Sequence, residues 1–175
     1  KVEDVITVSI VASELLQTPS LTVAGNTVTD ETAGGTNAIW TGTYQMQDTD
    51  SDGLIGLTLD FMDYAGNSVE NTVTSTTDGS AVTFDKTIPT LGTVTISSNN
   101  TYNSSKAMVG DVVTLTIVAD EVLNGFGTFN IAGNAINETG SGTDWSGTYT
   151  MQPGDTEENI AIRLIFVDRA NNAGE

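Results

Sequence analysis

The chain of 175 residues contains no cysteine and no histidine. Thiol nucleophiles, Ser-His and Cys-His dyads, imidazole proton shuttles and nearly all structural zinc sites are therefore excluded. The lack of cysteine also excludes a disulfide framework, although it does not by itself indicate a reducing compartment. Any site in this protein must be built from carboxylates, amides, hydroxyls and aromatic rings.

Positive charge is scarce, with five Lys and Arg against 23 Asp and Glu and a formal net charge of −18. Such a chain repels phosphate backbones and anionic membrane surfaces, so we predict no nucleic-acid partner. No apolar run approaches the length of a membrane span, which predicts no membrane insertion. The carboxylates also repel one another, and calcium, abundant outside cells, prefers oxygen ligands. Calcium is thus the expected cofactor.

An internal repeat organises the chain. The pattern Trp-Thr-Gly-Thr-Tyr-Gln-Met-Gln at residues 40–47 recurs as Trp-Ser-Gly-Thr-Tyr-Thr-Met-Gln at 145–152, a shift of 105 positions. Residues 2–14 match residues 109–121 at a shift of 107. The shift of 105 also carries Leu59, Phe61, Asp63, Ala65 and Asn67 onto Leu164, Phe166, Asp168, Ala170 and Asn172. Two tandem copies of one module are therefore predicted, spanning residues 1–87 and 88–175.

Each copy has the pattern of short β-strands. Apolar and polar residues alternate over residues 5–11, 57–61, 113–117 and 162–166, which predicts strands with one buried face. Clusters such as Ala-Gly-Asn and Thr-Asp-Gly predict turns between them. No stretch has a helical period. The predicted fold class is all-β, as two tandem immunoglobulin-like β-sandwich modules.

Residues 71–105 occur once and connect the two copies. The first copy therefore lacks an opening strand like residues 94–96, and the second lacks a closing strand like residues 81–84. One interpretation is a window on a longer array, and Lys1, which begins in mid-pattern without a signal peptide, predicts a mature piece or an excised segment. The other is a subunit completed by strands from identical subunits, forming a fibre. An unpaired edge is a liability in either case.

The motifs Asp-Tyr-Ala-Gly-Asn at residues 63–67 and Phe-Asp-Lys-Thr-Ile-Pro at 84–89, with Ala-Ser-Glu or Ala-Asp-Glu after the early strand, resemble the bacterial Ig-like repeats of large secreted adhesins. The likeness spans essentially the whole chain. It implies tandem modules at the cell surface, with calcium at or near the junctions stiffening the rod. The second copy departs from the pattern in having Asn171 where glycine is expected.

The clearest predicted metal site is Asp48-Thr-Asp50-Ser-Asp52-Gly53, because carboxylates at alternate positions of a tight loop can converge on one ion. It is not an EF-hand, since Leu59 stands where the bidentate glutamate would be required. The alternative is a solvated acidic turn. The second copy aligns Asp155 here and has lost a ligand.

A second predicted metal site gathers acidic residues at the end of the first module, supported by the resemblance. Its members are Glu14, Asp63 and Asp85, and the counterpart in the second copy would use Asp120, Glu121 and Asp168. The alternative is that Asp63 fixes its own Ala-Gly-Asn turn by accepting backbone hydrogen bonds.

These features bear on three classes of function. The first is a structural one: a calcium-stiffened spacer or fibre-forming segment of an extracellular surface adhesin, whose partners are neighbouring Ig-like modules or identical subunits. The second is a module that binds a cell-surface glycan or protein, for which Phe126 is the one copy-specific aromatic residue in a predicted loop. The tryptophans are expected to pack rather than to bind sugars. An enzyme is not expected, because the acidic residues lie in turns that the repeat makes equivalent.

Overall fold

A computed structural model describes residues 1–33 and 38–175, and of residues 30–33 and 70–72 it describes the backbone alone. All regular structure among these residues is β-strand. The chain divides into two compact units, Lys1–Lys86 and Thr87–Glu175. The predicted all-β class is confirmed.

Residues 1–33 and 38–86 of the first unit contain nine strands. They are β1 (Val5–Val11), β2 (Ser20–Val23), β3 (Asn26–Thr27), β4 (Asp30–Ala33), β5 (Ile39–Gln45), β6 (Gly53–Leu54), β7 (Leu57–Met62), β8 (Ser68–Val73) and β9 (Thr83–Phe84). They form a three-stranded sheet in the order β1-β5-β4, a four-stranded sheet in the order β3-β2-β7-β8, and the pair β6-β9. The core consists of Leu21, Val23, Val28 and Leu59, against which Ile6, Val8 and Ile10 pack.

The second unit contains six strands. They are β10 (Leu91–Ser98), β11 (Val112–Ile131), β12 (Asn134–Ala135), β13 (Thr139–Thr150), β14 (Ile162–Asp168) and β15 (Ala173–Gly174). The sheet runs β10-β11-β14-β15, with β12 and β13 also paired to β11. Its main core cluster contains Val113, Leu115, Ile117, Phe129 and Ile131.

The two units share their strand pairing as well as their sequence pattern. In the first unit Val5 lies opposite Gln45 and Ile10 opposite Trp40. In the second unit the residues at the same repeat positions, Val112 with Thr150 and Ile117 with Trp145, are paired in the same register. Because a slip of one residue would exchange the two faces of a strand, the shared register puts the same repeat positions toward the core in both units.

One difference between the units has a local cause. The long strand β11 corresponds to β1 and β2 of the first unit, which are separate strands. Pro19 lies just before β2, and proline cannot donate to a strand ladder. The second unit has Gly125 and Gly127 in this stretch, and its ladder with β14 continues through two register shifts, one beside each glycine. Such irregularities bend a strand without ending it.

Candidate metal sites and carboxylate-locked turns

The Asp48–Asp52 loop follows β5, and its central carboxylate faces the protein. Asp50 is 5% exposed. Its oxygens accept hydrogen bonds from the Tyr44 hydroxyl (3.1 Å to each oxygen), from Asn26 Nδ2 (2.9 Å) and from the Gln47 amide (2.8 Å). Buried carboxylates are stable when their lone pairs are satisfied in this way. Asp50 therefore fixes the loop to β5 and to the turn between β2 and β3.

The second unit repeats this arrangement, here called the Tyr–Asp lock, in which a tyrosine hydroxyl donates a hydrogen bond to the carboxylate of the aspartate six residues later. Asp155 accepts hydrogen bonds from the Tyr149 hydroxyl (3.0 Å) and from the Gln152 amide (2.7 Å). Burial, followed by the hydrogen bond and charge of the neighbouring aspartate, raises the pKa of Tyr44, and the same causes raise that of Tyr149. Both tyrosines thus stay protonated and act as hydrogen-bond donors. The repeated Tyr and the aspartate six residues later are structural partners.

The other two aspartates of the loop lie on the surface. Asp48 and Asp52 are exposed. The backbone carbonyl of Asp48 accepts a hydrogen bond from the Lys86 ammonium group (2.5 Å), and the Asp52 carboxylate accepts one from the Lys86 amide (2.8 Å). The loop therefore holds the end of the first unit. Asp50, which the predicted calcium site would also use, is directed toward Tyr44 instead.

Asp63, the residue after β7, and Asp168, the last residue of β14, begin equivalent turns. The Asp63 carboxylate accepts hydrogen bonds from the Asn67 amide (2.8 Å) and Nδ2 (2.6 Å), and Asp168 accepts the same pair from Asn172, both at 2.8 Å. The Asn67 side chain, and then its backbone amide, lower the pKa of Asp63. Both aspartates thus fix their own turns, as the alternative interpretation expects.

In the second unit Asn171 stands at the repeat position of Gly66, and this replacement does not change the turn. Gly66 has a φ of 91° and Asn171 a φ of 67°. Both amides donate to the carbonyl of the turn's aspartate at 3.3 Å. Asparagine is one of the few non-glycine residues that enter this left-handed region at low cost. The second copy therefore forms the same turn with a different residue.

The remaining predicted ligands lie in both units, and in the second unit the carboxylates of Glu121 and Asp168 offer oxygens within 4.8 Å of each other. Glu14 is exposed in the turn after β1, Asp85 is half-buried after β9, and Glu121 is half-buried within β11. Asp120 binds the Thr90 amide (2.8 Å) and hydroxyl (2.7 Å), which lower its pKa, the hydroxyl more than the amide. In neither unit taken by itself do three described carboxylates offer oxygens within 4.8 Å of one another. The calcium assignments stay predictions.

The two tryptophans and Phe126 pack within the protein, whereas Tyr64 and Tyr102 are exposed. Trp40 is buried, and Trp145 donates from Nε1 to the Gly142 carbonyl (3.0 Å). Phe126 lies within β11 and contacts Phe129 edge-on, with ring centroids 5.0 Å apart, and Trp145 at 5.6 Å. The prediction that Phe126 is a loop residue was wrong, because the flanking glycines accommodate irregular pairing rather than a loop. Its packing provides no aromatic platform for a glycan.

The first unit also contains a cavity of about 930 Å³. One wall is β1, including Ile6, Val8 and Ile10. The facing wall is formed by β2, β7 and β8, with Leu21 and Phe61, and residues 74–82 complete the lining. This cavity lies between the two larger sheets of the unit and is predominantly apolar.

The described residues include no helix with the length and hydropathy needed to cross a bilayer. No protein-family model matches the chain, and no curated protein or solved structure is significantly similar to it.

Proposed function

We propose that this chain consists of two tandem immunoglobulin-like β-sandwich modules of a bacterial surface adhesin or filament, acting outside the cell as a calcium-stiffened spacer. The observation that carries this proposal is the repetition of one design in consecutive units: the same strand register, the same Tyr–Asp lock and the same Asp–Asn turn. Repeated scaffolding, with no copy-specific polar site seen in the part of the chain that the structure describes, is typical of proteins that supply length rather than chemistry. Its partners would be neighbouring modules or identical subunits.

The connection between the units supports a restricted spacer. Lys86 is bound through its amide by Asp52 and through its ammonium group by the Asp48 carbonyl. Thr90 is bound by Asp120 through both its amide and its hydroxyl. Residues 87–89 separate these anchored positions, and Pro89 among them has a fixed φ. So short a segment leaves few rotatable bonds between the two anchors, so an ion that fixed the anchoring loop would restrict the connection further.

Calcium would act on the Asp48–Asp52 loop, which holds Lys86. Asp48 and Asp52 are exposed carboxylates in the loop that holds Lys86, and the chain carries a net charge of −18. An ion bound there would relieve carboxylate repulsion and fix the loop to which the connecting segment is attached. The predicted effect is on the flexibility of the connection first and on the melting of the units second.

The test is calcium titration by calorimetry, followed by small-angle scattering and thermal melting in calcium and then in excess chelator. We expect the maximum dimension to be better defined, and the melting temperature higher, with calcium than with magnesium or with sodium chloride of equal ionic strength. The double variant Asp48→Asn, Asp52→Asn should lose this response. Asp144→Asn with Glu175→Gln removes the same charge from exposed positions elsewhere and should retain it. Identical profiles with calcium and chelator would refute the calcium role.

A further inference from the structure

We infer that the open edge of β1 is a docking site for one extended strand from a neighbouring unit of the same repeat type. The inference goes beyond the calcium-stiffened spacer and holds whether or not calcium binds. It rests on the asymmetry between two units that otherwise share one design. Among the described residues, β1 pairs with β5 on one side, whereas the equivalent part of β11 pairs with β13 on one side and with β10 on the other.

The second unit specifies the register that such a strand would adopt. There, Val94 lies opposite Ile117, Ile96 opposite Leu115 and Ser98 opposite Val113. The repeat shift of 107 carries these three β11 positions back to Ile10, Val8 and Ile6 of β1. The docked strand would therefore run antiparallel to β1, with its valine opposite Ile10 and its isoleucine opposite Val8.

The equivalent residues of the second unit, where the strand is paired on both sides, are more deeply buried. Val113, Leu115 and Ile117 are 1%, 0% and 0% exposed. Ile6, Val8 and Ile10, at the same repeat positions, are only partly buried. They form one wall of the cavity of about 930 Å³ in the first unit. An apolar wall beside an unpaired strand edge is the combination that strand addition uses, because the backbone supplies hydrogen bonds and the wall supplies side-chain pockets.

The chemistry of the occupant can be read from β10. Leu91 is its anchor, since it is partly buried and packs against both core clusters of the second unit. It lies opposite Ala119, which corresponds to Ala12, a residue that lines the cavity. The whole strand, Leu91–Ser98, carries no charged residue. The occupant is thus an uncharged segment whose leucine packs, whereas its valine and isoleucine, like Val94 and Ile96 at 43% and 42%, stay partly exposed. The lack of charge avoids repulsion by this acidic chain.

The experiment uses the full chain and a fluorescent synthetic peptide of residues 89–99, in the presence of chelator so that calcium plays no part. We expect saturable binding by fluorescence anisotropy, and protection of the β1 amides from hydrogen exchange. The β13 amides, whose strand is paired in the second unit, should be unaffected. A peptide carrying Leu91→Asp should bind at least tenfold more weakly. Absence of saturable binding, or equal binding of both peptides, would overturn the inference.

The register is tested by disulfide trapping, which is clean because the chain has no cysteine. The peptide variant Val94→Cys should cross-link to the chain variant Ile10→Cys, since directly opposed side chains lie within disulfide range. The control Val5→Cys lies on the same strand and is 58% exposed, but it is five positions away and should not cross-link. Equal cross-linking of both would overturn the register. Dimers of the chain through β1 that the peptide does not dissociate would overturn the proposed occupant.

Discussion

Truncating the same repeat position in both units tests whether the first unit is open beside β1. Ile117 is 0% exposed in the second unit, whereas Ile10, its equivalent, is partly buried beside the cavity. We expect Ile117→Ala to destabilise its unit much more than Ile10→Ala destabilises the first. The two substitutions remove the same atoms, so any difference reflects the surroundings.

The magnitudes follow from burial. Removing three carbon groups from a sealed core costs about 2.4 kcal/mol at ~0.8 kcal/mol per group. A residual cavity of roughly 50 Å³ adds about 1.2 kcal/mol, so Ile117→Ala should cost ~3.5 kcal/mol. At Ile10 the wall already faces open space, so no sealed cavity forms and part of the side chain is already in water. About 1 kcal/mol is expected there.

The assay is hydrogen exchange by mass spectrometry at increasing urea concentration, because amides of β5 and β13 report on the two units within one molecule. Ile→Val at each position is the milder matched control, with about 1 kcal/mol expected at Ile117. Losses that agree within about 0.5 kcal/mol for the two alanine variants would show that Ile10 is as enclosed as Ile117, and would refute the argument.

Three other predictions concern single positions. Glu3 has a φ of 74° where the repeat has Gly110 at 91°, so Glu3→Gly should stabilise the first unit by about 0.5–1 kcal/mol in urea titrations, and a loss would contradict the strain argument. A Cβ on Gly147 would lie 2.5 Å from the Phe129 ring, so Gly147→Ala should lower the melting midpoint and cost about 1–3 kcal/mol. The pKa of Asp63 is lowered in the folded state, so its contribution is present above the ordinary aspartate pKa of about 3.9 and lost as pH falls through the folded value. Asp63→Asn should therefore destabilise the first unit at neutral pH and flatten its acid unfolding curve, and an unchanged curve would exclude this role.

The sequence alone was sufficient for the strands with a clear alternating pattern. Side chains alternate between the faces of a strand, so the patterns at residues 5–11 and 162–166 predicted the strands found there. The turn at Asp63 was also predictable as one of two alternatives, because aspartate and a following Ala-Gly-Asn form a local hydrogen-bonded unit. Phe126 was missed because glycines on both sides of an aromatic residue have the same local pattern in a loop and in a bent strand.

The role of each acidic residue was decided by contacts that no local pattern contains. Asp48, Asp50 and Asp52 alternate in sequence, but Asn26, far away in the chain, is one of the donors that hold Asp50 inward, while Lys86 binds at Asp52. The one local clue was Tyr44, six residues before Asp50, together with its repetition as Tyr149 and Asp155. The repetition indicated that the tyrosine and the aspartate interact, but it did not show that the hydroxyl donates to the carboxylate.

The sequence by itself determined that the chain is a repeated, acidic, all-β protein, because periodicity and composition are properties of neighbouring residues. Only the tertiary structure decided which carboxylates are held by hydrogen bonds and which strand of the described residues is paired on one side. Ile10 and Ile117 have the same residue type and the same repeat position, yet one is partly buried beside a cavity and the other is sealed. Their difference depends on the side chains and strands that pack around them, and that is a non-local property of the fold.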